Sequence, residues 1–259
     1  MSTRTMAHAG TFYPADSAEV IRYLKTFEAA QQNDPLHTPR AVIVPHAGYI
    51  YSGFTAESAY RCLNNCRAKR GIVIGPSHRM AYDGMSVSRF DDFATPLGTL
   101  QIDREYADQI IGDFSLSFDP GMHREHSTEV QMPFIKYFAP QLQVIEMVYG
   151  FFSPETLGGI INVLLNDEEN LIIISTDLSH FYTLEKARQL DAICLNAITN
   201  KDPALQHQGC EACGKIGVEA MLIAAKRQKL NVELLDYRTS ADASGDRSNV
   251  VGYTSALLY

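Results

Sequence analysis

Four short runs of branched aliphatic residues place the tightest constraint on how this chain can fold. AVIV at 41–44, GIVI at 71–74, VIEMV at 144–148 and LIII at 171–174 are too short for buried helices, and strands covered on both faces have this character. Val232 to Leu235 is a weaker fifth candidate. Between the runs lie stretches of helical period: Ala15 to Ala30, Thr55 to Arg67, Asp103 to Phe114, Ser153 to Leu165, Leu184 to Thr199 and Gly214 to Lys229. Strands alternating with helices imply βαβ units, hence an α/β fold with a mostly parallel or mixed central sheet and helices on both faces. The segment Met85 to Ile102 breaks the rhythm: MSVSRF and GTLQID, joined through DDFATPL, read as a hairpin-like pair. No repeat, low-complexity tract or long linker divides the chain, so 1–259 is expected to form a single domain.

Composition narrows the function classes. A formal charge of −8 with no Lys/Arg run disfavours a phosphate-backbone binder, so no nucleic-acid partner is expected. The opening MSTRTMAHAGTFYP lacks an apolar signal core, and runs such as Leu171 to Ile174 are far too short to span a bilayer; no membrane partner and a cytoplasmic location are expected. The 5 cysteines are an odd set, which argues against a secreted disulfide framework. Cys210 and Cys213 form a lone C-x-x-C before a helical pattern, and a packing role as small apolar residues is expected for both. No motif sets an oligomeric state.

The chemistry concentrates in histidines. AVIVPHAG, GIVIGPSH and LIIISTDLSH each run a buried-strand pattern into a histidine, placing His46, His78 and His180 beyond three strands. Ligands of open α/β sheets bind outside the carboxyl ends of strands, and imidazoles converging there suit a transition metal. Asp177, three residues before His180, could ligate the metal or orient a histidine from behind. The stretch HREHSTEVQMPF adds His123, Glu125, His126 and Glu129; on a helix His126 and Glu129 share a face, as a ligand pair, an acid/base pair or a capping arrangement around Ser127. Gly48 and Gly53 bracket Tyr49 and Tyr51 and suggest a tight turn at the pocket mouth. Walker, G-x-G-x-x-G and G-x-S-x-G signatures are absent, which disfavours nucleotide binding and serine hydrolysis.

In sequence order the chain carries GTFYPAD, VPHAGYIYSG, IGPSHR, TPLG, EHSTEVQMPF, STDLSH, CGKIG and VVGYTS. With these motifs it resembles the Memo-like family, whose prokaryotic members occur in AmmeMemoRadiSam gene systems as system protein B. The resemblance covers essentially the whole chain and implies a fold like that of the class III extradiol dioxygenases, with a non-haem iron pocket at one end of the sheet. It implies pocket histidines at His46, His78 and His180. In animal relatives copper or iron is held by the first two of these and a cysteine near the C-terminus. In the stretch YRTSADASGD, Ala243 stands where that cysteine is expected, so the resemblance leaves Asp242 or His180 to complete the site.

Three functions follow from this reading. The first is an iron- or copper-dependent oxidoreductase with His123, His126 or His180 as acid/base, assisted by Asp177 and Glu129. The second is a non-enzymatic protein that recognises a small molecule, peptide or modified protein in the same cleft, lined by Tyr49, Tyr51 and Phe181. The third, less favoured, is hydrolysis on zinc.

Overall fold

The computed structural model describes residues 2–31 and 36–259. In chain order its elements are β1 (Thr3–Arg4), α1 (Ser17–Ala30), β2 (Ala41–Val44), α2 (Tyr49–Tyr60), β3 (Arg70–Pro76), β4 (Met85–Val87), β5 (Asp92–Thr95) and β6 (Gly98–Gln101). There follow α3 (Arg104–Phe114), α4 (His126–Glu129), α5 (Met132–Phe138), β7 (Gln143–Tyr149), α6 (Pro154–Leu164), β8 (Asn170–Ser175) and β9 (His180–Tyr182). The chain ends with α7 (Leu184–Thr199), α8 (Lys215–Gln228), β10 (Val232–Thr239), α9 (Ser240–Ser244) and β11 (Val250–Leu258). The main sheet runs β10-β11-β2-β8-β3-β7-β4, and β9 pairs with β11 off this path.

Its centre is the four aliphatic runs: β2, β8, β3 and β7 are mutually parallel neighbours. Their side chains alternate between two cores. Ile43, Ile72, Ile74, Ile172 and Ile174 face α3, α6 and α8, where Leu157, Ile161, Val218 and Leu222 meet them. Val42, Val44, Val73, Leu171 and Ile173 face α1, α2 and α5, where Leu24, Tyr60 and Phe134 pack. This period of two, buried on both sides, is what the continuous aliphatic runs require. The edges are antiparallel, β11 against β2 and β4 against β7, so the sheet is mixed.

The excursion differs from its expected form. Met85–Val87 joins the main sheet against β7, while the true hairpin is β5 with β6, so DDFATPL holds a strand and not just a connection. Phe93 decides this, because alternation in β5 drives it into the core beside Leu100. Helix α2 starts at Tyr49, six residues before the expected Thr55, so Gly53 sits inside a helix and not in a turn. Strand β11 carries Gly252, Thr254, Ser255 and Ala256 in place of large aliphatics, and for that reason its sequence does not announce a buried strand. No helix of the described residues is long and apolar enough to cross a membrane.

Helix α2 buries a carboxylate. Glu57 is fully buried; one oxygen accepts from Gln31 Nε2 at 2.7 Å, and Oε1 has no partner among the described residues. Burial pushes its pKa from 4.5 up to about 7, against the opposing pull of the Gln31 bond and Arg61. A carboxyl raised in the folded state stabilises the fold below its unfolded pKa, and that contribution is lost as pH rises through about 7. The shift is worth at most about 3 kcal/mol. Urea unfolding of Glu57→Gln should therefore show a gain of about 1–3 kcal/mol over wild type at pH 8 and little difference at pH 5; equal effects at both pH values would contradict the argument.

Candidate metal centre

The chain leaves β2 through Pro45, which cannot extend the ladder, and His46 lies just beyond it, almost wholly buried. Its N–H donates to Asp177 Oδ1 at 2.7 Å, and its Nδ1 lies 2.8 Å from Ser175 Oγ. The Ser175 hydroxyl gives its proton to Ser127 O at 2.5 Å and already accepts from Gln131 Nε2 at 2.9 Å. Its remaining role toward His46 is as acceptor, which fixes the proton on Nδ1 and leaves a lone pair on Nε2. Burial, then the neighbouring imidazoles of His78 and His126, hold His46 well below the ordinary histidine pKa, hence neutral. The free Nε2 lies 3.2 Å from Cys213 Sγ.

His78 follows β3 and is tied to Glu125, whose Oε2 accepts the His78 N–H at 2.7 Å and whose Oε1 lies 3.3 Å from the ring Nδ1. The same Oε1 lies 2.7 Å from His126 Nδ1 and accepts the His126 N–H at 2.9 Å. Burial alone would raise the Glu125 carboxyl, but the His126 and His78 hydrogen bonds outweigh it and hold the group well below the usual carboxylate range. Glu125 thus orients two imidazoles from behind, in the manner of carboxylate–histidine pairs at metal sites. The rings gather closely: centroids are 5.1 Å apart for His46 and His78, 5.3 Å for His46 and His126, and 4.5 Å for His78 and His126. Gly75 permits the approach of α4 to β3, since a Cβ there would lie 2.7 Å from Ser127 Oγ.

The third element is the loop before α8. Cys213 N–H donates to Asp177 O, and the Asp177 N–H points at Cys213 Sγ, both at 3.2 Å. Gly214 fits against the end of β8, where a Cβ would stand 2.6 Å from Ser175 O. His46, His78 and Cys213 each offer an atom within 4.8 Å of the others; His78, Glu125 and His126 form a second such group. Burial pushes the Cys213 thiol up to about 12, with the Asp177 charge adding to the rise and backbone hydrogen bonds from Asp177 and Gly214 opposing it. Two imidazoles, one with its lone pair already directed inward, and a buried sulfur facing backbone donors fit a cation that would stabilise the thiolate. Asp177, almost wholly buried and raised by burial, braces this arrangement through His46 and Cys213.

Other residues singled out in the sequence lie elsewhere. His180 begins β9 and falls outside both tight groups, near enough to act electrostatically on His46 and Asp177. His123 is fully buried, with its ring nitrogens engaged by Ser86 Oγ and Glu146 Oε2, both at 2.8 Å. Glu129 is also fully buried and accepts from Arg4, from the N–H groups of Ala7 and His8, and from the Tyr13 hydroxyl. Both are engaged by partners inside the protein. Asp242 closes a capping box at the start of α9, accepting from Thr239 N–H and Oγ1 at 2.7 and 2.9 Å. Tyr49 packs into the core and does not line a groove, whereas Tyr51 and Phe181 are exposed.

Cys213, expected to pack as a small apolar residue, lies in one donor group with His46 and His78, so a sulfur stands beside these histidines from an element other than the one that carries Ala243. The available signal was its position: a C-x-x-C whose second cysteine directly precedes a helix start. Cys210 is disulfide-bonded to Cys194, a pairing that the odd cysteine count had argued against. Glu125 is named in the sequence with its neighbours but receives no role there, because His126 and Glu129 fit a helical face more obviously.

Residues 4–257 match the sequence model of a family described as Memo-like protein. A relative described as a MEMO1 family protein from Methanobrevibacter smithii is 36% identical, covering 98% of this chain and 99% of its own. Relatives of the same description from Methanosarcina mazei and Aquifex aeolicus are each 32% identical with 100% of both chains covered. The crystal structure of the uncharacterized protein JW3007 from Escherichia coli K12 has a similar fold, with a TM-score of 0.51 at 10% identity over 99% of each chain.

The capping box predicts what Asp242 contributes. Asp242→Ala should lower unfolding stability by about 1 kcal/mol through loss of the α9 cap and leave binding of Co(II), measured by titration, unchanged. A fall in Co(II) affinity would return Asp242 to the ligand set.

Proposed function

The chain belongs to the Memo-like protein family, and from that premise we propose that it is a metal-dependent oxidoreductase whose ion is held by His46, His78 and Cys213. The observation that carries this reading is the convergence of three donor atoms from three separate elements within 4.8 Å. The donor set is two neutral-type nitrogens and one sulfur, a softer set than two histidines with a carboxylate, and the divalent affinity order favours copper over zinc and iron(II) on such ligands. Copper or iron bound there would supply one-electron chemistry toward an oxygen-bearing small molecule in the cleft. Glu125 keeps the His78 and His126 rings in place. His126, with Nδ1 held by Glu125, has Nε2 to receive or return a substrate proton, and His180 acts electrostatically on Asp177. Tyr51 and Phe181 offer exposed aromatic surface, the Phe181 ring centroid lying 5.7 Å from that of His180. The competing reading is a binding protein that uses this surface without chemistry, and its supporting observation is Phe181: a bulky residue held at φ 66° with its ring exposed.

Elemental analysis of protein purified without chelator separates the readings. About one copper or iron per chain is the expected result; zinc would favour hydrolysis, and absence of stoichiometric metal would favour the binding protein. His46→Ala and Cys213→Ala should each remove most of the metal, while Glu125→Gln should weaken binding by about 10–100-fold with the fold intact by circular dichroism.

A further inference from the structure

The cysteine pair upstream of the ligand sulfur points to control of the site. Cys194 in α7 is disulfide-bonded to Cys210, three residues before Cys213. The intervening loop contains no helix or strand, and the disulfide is the covalent hold on it between Gly209 and Gly214. At its first cysteine the disulfide and the Cys210 N–H to Gln206 O bond anchor it; at its second, the Cys213 N–H binds Asp177 O. The disulfide is buried in a small apolar cluster with Leu178 and Ala212. Leu178 is the neighbour of Asp177, and Ala212 the neighbour of Cys213, so one cluster seats both segments whose backbones meet at the ligand sulfur. No other covalent cross-link occurs among the described residues.

We propose that the Cys194–Cys210 disulfide is a redox-sensitive tether that positions Cys213 as a metal ligand, so that its reduction weakens metal retention. The inference rests on the ligand set proposed above. In the reducing step a dithiol donates two electrons and two protons: the Cys194–Cys210 bond breaks, both cysteines become thiols and the dithiol closes to its own disulfide. The loop then loses its covalent anchor at Cys210, and Cys213 is held by non-covalent contacts alone: the Asp177 backbone, His46 Nε2 and, through the next residue, the Gly214 N–H to Thr176 Oγ1. Cys210 also becomes a free thiol in a C-x-x-C with Cys213, a competing partner for the ligand sulfur. In a reducing compartment such a disulfide is transient, as regulatory ones are.

Co(II) titration with absorption spectroscopy tests the tether, because a cysteine sulfur on cobalt gives a charge-transfer band that histidine nitrogens do not. Four samples are compared: disulfide-intact wild type, wild type reduced with a phosphine that is then removed anaerobically, Cys194→Ser/Cys210→Ser, and Cys213→Ser. The intact wild type should show the sulfur band. Reduced wild type and the double variant should bind Co(II) about tenfold or more weakly, with a smaller band per cobalt. Affinity and band unchanged in the reduced wild type would overturn the tether, even if its melting temperature fell. Reduced wild type also covers the case in which the double variant fails to fold. Loss of the band in Cys213→Ser supports the ligand set; a wild type with bound cobalt but no sulfur band overturns that set and the tether with it. Mass mapping that finds Cys194 and Cys210 unpaired under oxidised glutathione would overturn the tether alone.

Discussion

The parallel register of β2, β8, β3 and β7 is the constraint on which everything else in the molecule rests. Val44 stands opposite Ser175 and Ile74 opposite Ile174, so neighbouring strands stop within a residue or two of one another along one edge. Parallel strands are returned by helices and not by tight turns, and the polar residues that follow each strand therefore collect at a single edge. His46 lies two residues beyond β2, His78 two beyond β3 and Asp177 two beyond β8. A slip by one residue would exchange the two buried faces of a strand, and both faces here are filled with aliphatic side chains. The apolar cores thereby fix where the imidazoles stand.

Behind the pocket lies a second, ionic constraint. Arg4 pairs with Glu129 and approaches Glu146 at 3.9 Å, while His123 closes on Glu146 from the other side at 2.8 Å. All four side chains are buried. Burial opposes the charge on Glu146, but His123, Arg4 and Thr128 outweigh it and lower its pKa. Removing one partner from such a set leaves an uncompensated buried charge, so the N-terminal strand, α4 and β7 are tied together more firmly than their short lengths suggest. His123 and Glu129, both acid/base candidates in the sequence, belong to this brace.

The four central strands were legible because burial on both faces writes itself as unbroken aliphatic runs, and the helix α7 because its period is clean from Leu184 to Thr199. The strand β11 was not, because Gly252, Ser255 and Ala256 interrupt its Val, Tyr and Leu positions, so no unbroken aliphatic run marks it. At the site, His46 and His78 follow directly from strand ends. Cys213 is brought in by a contact across 36 positions of sequence, between a loop and the end of β8, and no local pattern encodes such a meeting. Asp242 had the right chemistry, but its own backbone neighbours claimed it first, as short acidic side chains at helix starts tend to be claimed.

The Ser175 hydroxyl gives the interior a polarity that outlasts any one bond. Tyr60 donates to Gln131 Oε1 at 3.0 Å, and Gln131 Nε2 donates onward to Ser175, where the His46 imidazole also delivers its proton. Ser175 passes its own proton to the carbonyl of Ser127. Tyr60, Gln131 and Ser175 donate in one direction, from helix α2 through the core to the Ser127 carbonyl, and the His46 imidazole donates into this thread from the pocket side. Reversing one bond would require turning the amide and both hydroxyls together, a concerted move in a close-packed interior. The tautomer of a single imidazole is thereby decided inside the fold, by a serine hydroxyl whose other bonds, to Gln131 and Ser127, lie in the core.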